Sequence, residues 1–167
     1  MKVALNVSVG ESEDAGEGEC INIIRAGKTV IEKVLEAELQ ELMPESKKCE
    51  VCEISITILD SDEMRSLNGT YRNIDEATDV LSFPLIESQE DFLCPYIILG
   101  DIVICPDEVK KLHENLKFKE AIYLMIAHSF LHLVGWDHDT EEKEEIMWQR
   151  QEQIKDRIIE LENSEEF

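Results

Sequence analysis

The sequence predicts an α+β fold: a single domain in which a small mixed β-sheet is covered by helices. Three observations predict it. Strand-like alternation and helical spacing follow one another along the chain without strict βα repetition. No internal repeat or linker divides the 167 residues, a length that suits one domain (residues 1–167) burying about 70% of the surface its unfolded form exposes. The stretch at residues 121–134 is apolar nearly all round, as a helix at the centre of a core is.

Each element has its own signal. Val3, Leu5, Val7 and Val9 alternate with small or polar neighbours, as in a half-buried strand. Residues 10–19 are acidic and glycine-containing with almost nothing to bury, which predicts a mobile loop. Ile24, Val30, Ile31, Val34, Leu35, Leu39 and Leu42 recur at helical spacing over about residues 21–43, and Pro44 stops that helix. Residues 51–59 form the clearest strand. Asp60, with Glu63 three residues on, caps a short helix through Leu67 that Asn68-Gly69 ends. A short strand over 78–85 breaks at Pro84, a loop covers 87–95, and a strand over 97–105 is interrupted at Gly100-Asp101. Pro106 suits the first turn of a helix over about 107–116, and the apolar helix follows from Phe118. Asp139 and Glu142 predict a capping box for a last amphipathic helix carrying Met147, Ile154, Ile158 and Leu161, with residues 163–167 as a frayed tail.

Composition narrows the function classes. No apolar run approaches the roughly 18 residues of a membrane span, so no membrane partner is expected. The amino terminus turns acidic too soon for a signal peptide, and five cysteines without a secretion signal predict reduced thiols, so the reading is a cytoplasmic protein. Cys49 and Cys52 have a chelating spacing. In a strand, however, Cys52 shares a face with Ile54, Ile56 and Ile58, which predicts that Cys49 points the other way. A net charge of −22 argues against nucleic acid bound through a basic surface, and no DNA partner is expected. Lys47 and Lys48, then Lys110, Lys111, Lys117 and Lys119, are the basic residues that cluster, and such runs read first as solvated faces.

The chemistry concentrates in His128-Ser-Phe-Leu-His132-Leu-Val-Gly135-Trp-Asp-His138. On a helix, residues four apart lie one above the other, so His128 and His132 present two imidazoles to one point. Gly135 can take the left-handed conformation that ends a helix, and the returning chain brings in His138. A histidine in an apolar helix is ordinarily a core residue with a hydrogen-bond partner. Two on one face need a shared partner, and one metal ion satisfies both. No cysteine lies within twenty residues to close the site, so three ligands with an open fourth position predict one catalytic zinc ion per chain on a zincin-like histidine helix.

The spacing matches the H-E-x-x-H-x-x-G-x-x-H skeleton of metzincin proteases, but Ser129 stands where their glutamate base would be. Its hydroxyl cannot take a proton from water at neutral pH, whereas a zinc-bound water with a pKa near 7 is still a nucleophile. A protease-like zinc hydrolase is therefore the weaker alternative.

The same eleven residues resemble the H-G-x-L-H-L-x-G-Y-D-H signature of the YbeY family, endoribonucleases of ribosomal RNA maturation in bacteria and organelles. Leu67-Asn-Gly-Thr-Tyr-Arg72-Asn-Ile-Asp-Glu-Ala-Thr78-Asp-Val-Leu-Ser-Phe-Pro84 is similar to its L-N-x-x-Y-R-x-x-D-x-x-T-D-V-L-S-F-P, and Leu99-Gly-Asp-Ile-Val-Ile104 to its L-G-D-I-x-I. Ser129 and Trp136 depart from its glycine and tyrosine. The resemblance implies a single-strand-specific endoribonuclease with zinc held by His128, His132 and His138, and with Arg72, His128 and His132 as catalytic residues. It also implies ribosomal RNA and ribosomal or small-subunit assembly proteins as partners. A non-catalytic assembly factor with a structural zinc is the other alternative. A guanidinium suits phosphate, while the plainer reading of Arg72 is a surface ion pair with Asp75 or Glu76. Asp137 and Asp139 flank the third ligand and either orient imidazoles or start the last helix. His113 reads as a surface histidine.

Overall fold

The computed structural model describes residues 1–10 and 15–165, and the protein is α+β. Four strands, β1 (Lys2–Val9), β2 (Val51–Ile58), β3 (Val80–Pro84) and β4 (Tyr96–Ile104), form one mixed sheet in the order β1-β2-β4-β3. The first three in that order are parallel, and β3 lies antiparallel at the edge. Helices α1 (Ala15–Leu42), α2 (Ser61–Arg72), α3 (Pro106–Leu112), α4 (Phe118–Leu133) and α5 (Glu141–Glu165) surround it, with 3₁₀ turns at Pro44–Lys48 and Gln89–Leu93.

Alternation decides which face each helix covers. Cys52, Ile54, Ile56 and Ile58 of β2, with Ile102 and Ile104 of β4, point to the main core shared with α1, α4 and α5. Leu81 and Val103 point to the opposite face, where Met64 of α2 and Cys105 complete a smaller cluster. Helix α4 is therefore central, and α5 packs against both α4 and α1.

Several boundaries differ from the expectations, each for a physical reason. Helix α1 begins at Ala15, not near residue 21: Cys20 and Ile24 are both fully buried one turn apart, and Glu17 sits in the first turn, where the helix dipole favours negative charge. Of the loop expected over 10–19, residues 11–14 lie outside the described residues, and 15–19 are helical. Helix α2 runs past Asn68-Gly69 to Arg72. Asn68 is buried and donates to the Glu76 carbonyl at 2.8 Å, and the helix ends instead at Asn73 in the left-handed region. Asp60 caps it as expected, accepting from the Glu63 amide at 2.7 Å.

Strand β4 is continuous through Gly100-Asp101. Glu53 pairs with Ile98 and Ile54 with Gly100, so Leu99 is an extra residue in a bulge. A Cβ at Gly100 would lie 2.5 Å from the Leu133 side chain and 2.6 Å from the Phe83 carbonyl oxygen, so glycine lets α4 and β3 close on β4. Helix α3 stops at Leu112, well short of residue 116. Thr140, not Asp139, caps α5, accepting from the Lys143 amide at 3.2 Å. The tail expected to fray stays helical through Glu165, which pairs with Lys33 at 2.9 Å, while 166–167 lie outside the described residues. Cys49 lies ahead of β2, where the pleat does not dictate direction. Its buried thiol contacts Cys52 and donates to the Val51 carbonyl at 3.1 Å, instead of pointing the opposite way.

Candidate metal centre and cleft

Helix α4 is buried on nearly every side, and the histidines interrupt its apolar surface where it borders a cleft. Its end is a Schellman motif. Gly135 takes φ of 95°, the Trp136 amide donates to the Leu131 carbonyl at 2.9 Å, and the Gly135 amide donates to that of His132 at 3.0 Å. The reversal returns the Trp136 carbonyl to His132 and brings His138 alongside. One ring nitrogen from each of His128, His132 and His138 lies within 4.8 Å of the others.

The hydrogen bonds set the tautomers. His132 Nδ1 lies 2.9 Å from the Trp136 carbonyl oxygen and His128 Nδ1 lies 2.8 Å from Gln151 Oε1 of α5. Both partners are acceptors, so each Nδ1 donates and each Nε2 carries a lone pair when the ring is neutral. The two Nε2 atoms face each other at 3.2 Å. Lone pairs that close repel unless a cation lies between them, so the donor set fits a metal ion, and borderline nitrogen donors suit zinc. Burial, and then the neighbouring imidazoles, holds the proton affinity of His128 and His132 below that of an ordinary histidine, which keeps both rings available as ligands at neutral pH.

The three histidines open into a cleft of about 680 Å³ whose wall includes Arg72, Asp79 and His113. The longer α2 carries Arg72 to this wall. Its expected ion pair with Asp75 does not form, because Arg65 holds Asp75 through two bonds at 2.8 and 2.9 Å. Among the described residues Arg72 makes no ion pair. His113 is not simply a surface residue. Helix α3 ends just before it, and its Nε2 lies 2.9 Å from Asp79 Oδ2, with both side chains partly buried.

Asp137 and Asp139 act locally. Asp137 accepts from the His138 amide at 2.8 Å, and Asp139 pairs with Lys143 at 3.3 Å. The lysine cluster is neutralised at three positions: Lys110 by Glu19, Lys111 by Glu108 and Lys119 by Glu162. Gln151, Asp79 and His113 were not legible as site residues. Asp79 stands inside the 67–84 stretch, but nothing in the spacing of His113 or Gln151 ties them to the histidine helix, because they reach the cleft from other elements.

Fold and site together define a class: an α+β domain able to hold a metal ion on one helix and the turn after it, at the floor of a cleft. A protein-family model described as Endoribonuclease YbeY matches residues 20–159. The chain is 33% identical over 138 residues to the Endoribonuclease YbeY of Caldanaerobacter subterraneus subsp. tengcongensis, covering 77% of this chain and 87% of that protein. It is 37% identical over 145 residues to that of Lachnoclostridium phytofermentans, covering 76% and 88%. The solution structure of TM1509 from Thermotoga maritima superposes with a TM-score of 0.59 at 23% identity, over 98% of this chain and 93% of that one, and so shares the fold. The chain belongs to the YbeY endoribonuclease family. No helix among the described residues is long and apolar enough to cross a membrane.

Proposed function

We propose that this protein is a zinc-dependent, single-strand-specific endoribonuclease of ribosomal RNA maturation, working in the cytoplasm on RNA presented by the ribosome or its small-subunit assembly proteins. The observation that carries it is the convergence of His128, His132, His138 and the ion-pair-free Arg72 on one open cleft, together with the family. Zinc bound by the three imidazoles would lower the pKa of a water and withdraw charge from a phosphate oxygen. The chain supplies the rest. Gln151 and the Trp136 carbonyl orient two of the ligands. Arg72 grips a non-bridging phosphate oxygen and stabilises the charge that grows there as the phosphodiester is attacked. A cleft of about 680 Å³ suits a strand whose phosphate can turn inward, and RNA is most open to such contacts where it is unpaired. The net charge of −22 repels free RNA over most of the surface, which favours substrate positioned by a partner.

Peptide hydrolysis fits less well. Ser129 is fully buried and absent from the cleft wall, so that position supplies no base. A purely structural zinc would not call for an open cleft beside its ligands. The test is elemental analysis paired with cleavage of ribosomal RNA by the same preparation. Zinc near one ion per chain, with activity abolished in His132→Ala, is expected; undiminished cleavage by that variant overturns the reading.

A further inference from the structure

The wall of the same cleft holds a second, ordered pair of ionisable groups. Asp79 is anchored before it meets His113: its Oδ1 accepts from the Val80 amide at 2.9 Å and from the Thr78 hydroxyl at 3.2 Å. That leaves Oδ2 to fix the His113 ring through Nε2 at 2.9 Å. The Asp79 backbone is pinned as well, since its carbonyl accepts from the Cys105 amide at 2.9 Å. Nδ1 of His113 has no hydrogen-bond partner among the described residues, and the residue lines the same cleft as His128, His132 and Arg72. A carboxylate that orients an imidazole by one nitrogen and leaves the other facing a substrate cleft is an arrangement that serves proton transfer, because the carboxylate stabilises the imidazolium.

We propose that His113, oriented by Asp79, is the catalytic acid that protonates the departing ribose oxygen. This inference rests on the endoribonuclease reading. As the oxygen of water or of a ribose hydroxyl forms the new bond to phosphorus and releases its proton to solvent, the bond from phosphorus to the 5′ oxygen breaks. Its electron pair leaves with that oxygen, and the proton on His113 Nδ1 moves to it. The neutral ring, still held by Asp79, regains a proton from solvent for the next turnover. Arg72, Asp137 and the three histidines of the motif are the other charged or titratable groups lining this space, and among the described residues none of those three histidine rings bonds a carboxylate.

The test uses zinc-loaded full-length protein, at a salt concentration that screens its acidic surface, and two single-stranded RNA oligonucleotides, one of ordinary linkage and one with sulfur replacing the 5′ bridging oxygen. A thiolate leaves without a proton. His113→Gln is expected to slow cleavage of the ordinary linkage by about 10²-fold or more, the range of general acid catalysis, and to leave the sulfur linkage within about fivefold of the unmodified protein. Asp79→Asn is expected to act in the same direction with a smaller loss, and carries the test should His113→Gln not fold. Equal slowing of both linkages, or slowing of neither, overturns the role of His113. If the unmodified protein cleaves neither linkage while holding zinc, the endoribonuclease reading itself fails and takes this inference with it.

Discussion

Gln151 Oε1 lies 2.8 Å from His128 Nδ1, so a residue of α5 thirteen positions beyond the last histidine of the motif determines the direction in which a candidate metal-site imidazole presents its lone pair. Outer partners of this kind commonly contribute 10-fold to 100-fold in metal affinity. Gln151→Leu is accordingly expected to weaken zinc binding by about 10-fold or more, and Gln151→Glu to preserve or tighten it. Competition with a chromophoric chelator reads this directly. Equal affinities for all three proteins would remove Gln151 from the site.

Arg72 is exposed and makes no ion pair among the described residues, so its loss touches function without touching the fold. Arg72→Ala is expected to reduce RNA cleavage by about 10²-fold, the scale of one charge-stabilising donor in a transition state. Its melting temperature and zinc content should match those of the parent. A variant that cleaves normally would return Arg72 to the ordinary surface.

Acid should loosen the metal-free protein. Burial holds the folded-state proton affinity of His128 and His132 below the ordinary histidine value. An unfolded chain takes up these protons near pH 6.5, as an ordinary histidine does. Above that pH the two states bind equally few, and the stability is fully present. Below it the unfolded state binds more, so stability falls until the folded rings also protonate. Chelator-treated protein is expected to lose melting temperature as the pH drops from 7 through 6, and His128→Gln to lose less. A flat profile, or the same slope in the variant, contradicts the assignment.

Ser129 is fully buried and its hydroxyl has no hydrogen-bond partner among the described residues. An unsatisfied buried hydroxyl costs about 1–3 kcal/mol, and alanine is the better helix former. Ser129→Ala should raise stability by roughly 1 kcal/mol, seen as a higher urea midpoint at unchanged slope. A drop in the midpoint would mean that the hydroxyl has a bonding role.

Gly100→Ala tests the junction between sheet and metal helix. The added methyl would press on Leu133 and on the Phe83 backbone, and Leu133 adjoins His132. Overpacking of this kind costs about 1–3 kcal/mol. Calorimetry should show the loss, and zinc affinity should fall with it if the strain reaches the ligand. Stability equal to that of the parent would show that the strand yields without cost.

How much was legible varied with the range of the interaction. The histidine tripod could be read because the helix period and the turn at Gly135 bring His128, His132 and His138 together within one local segment. The β2 strand was legible for the same reason, since Cys52, Ile54, Ile56 and Ile58 alternate against a single core. Helix ends depart from the local signal where a tertiary contact overrides it. Asn68 looks like a stop, yet its side chain holds the Glu76 carbonyl and the helix continues to Arg72. Gly100 looks like an interruption, yet it is where two other elements close on the strand.

The sequence by itself determined the class of fold, the candidate ligand set and the family, because these rest on periodicity and on motifs read in order. Only the tertiary structure decided what surrounds the candidate ligands: Gln151 bonded to His128, Arg72 on the cleft wall with no ion-pair partner among the described residues, and Asp79 holding His113 in the same cleft. These meet through packing between segments that lie far apart along the chain. Hydrogen bonds and ion pairs at that distance leave no repeat or spacing behind, since their geometry exists only after the sheet and helices have closed.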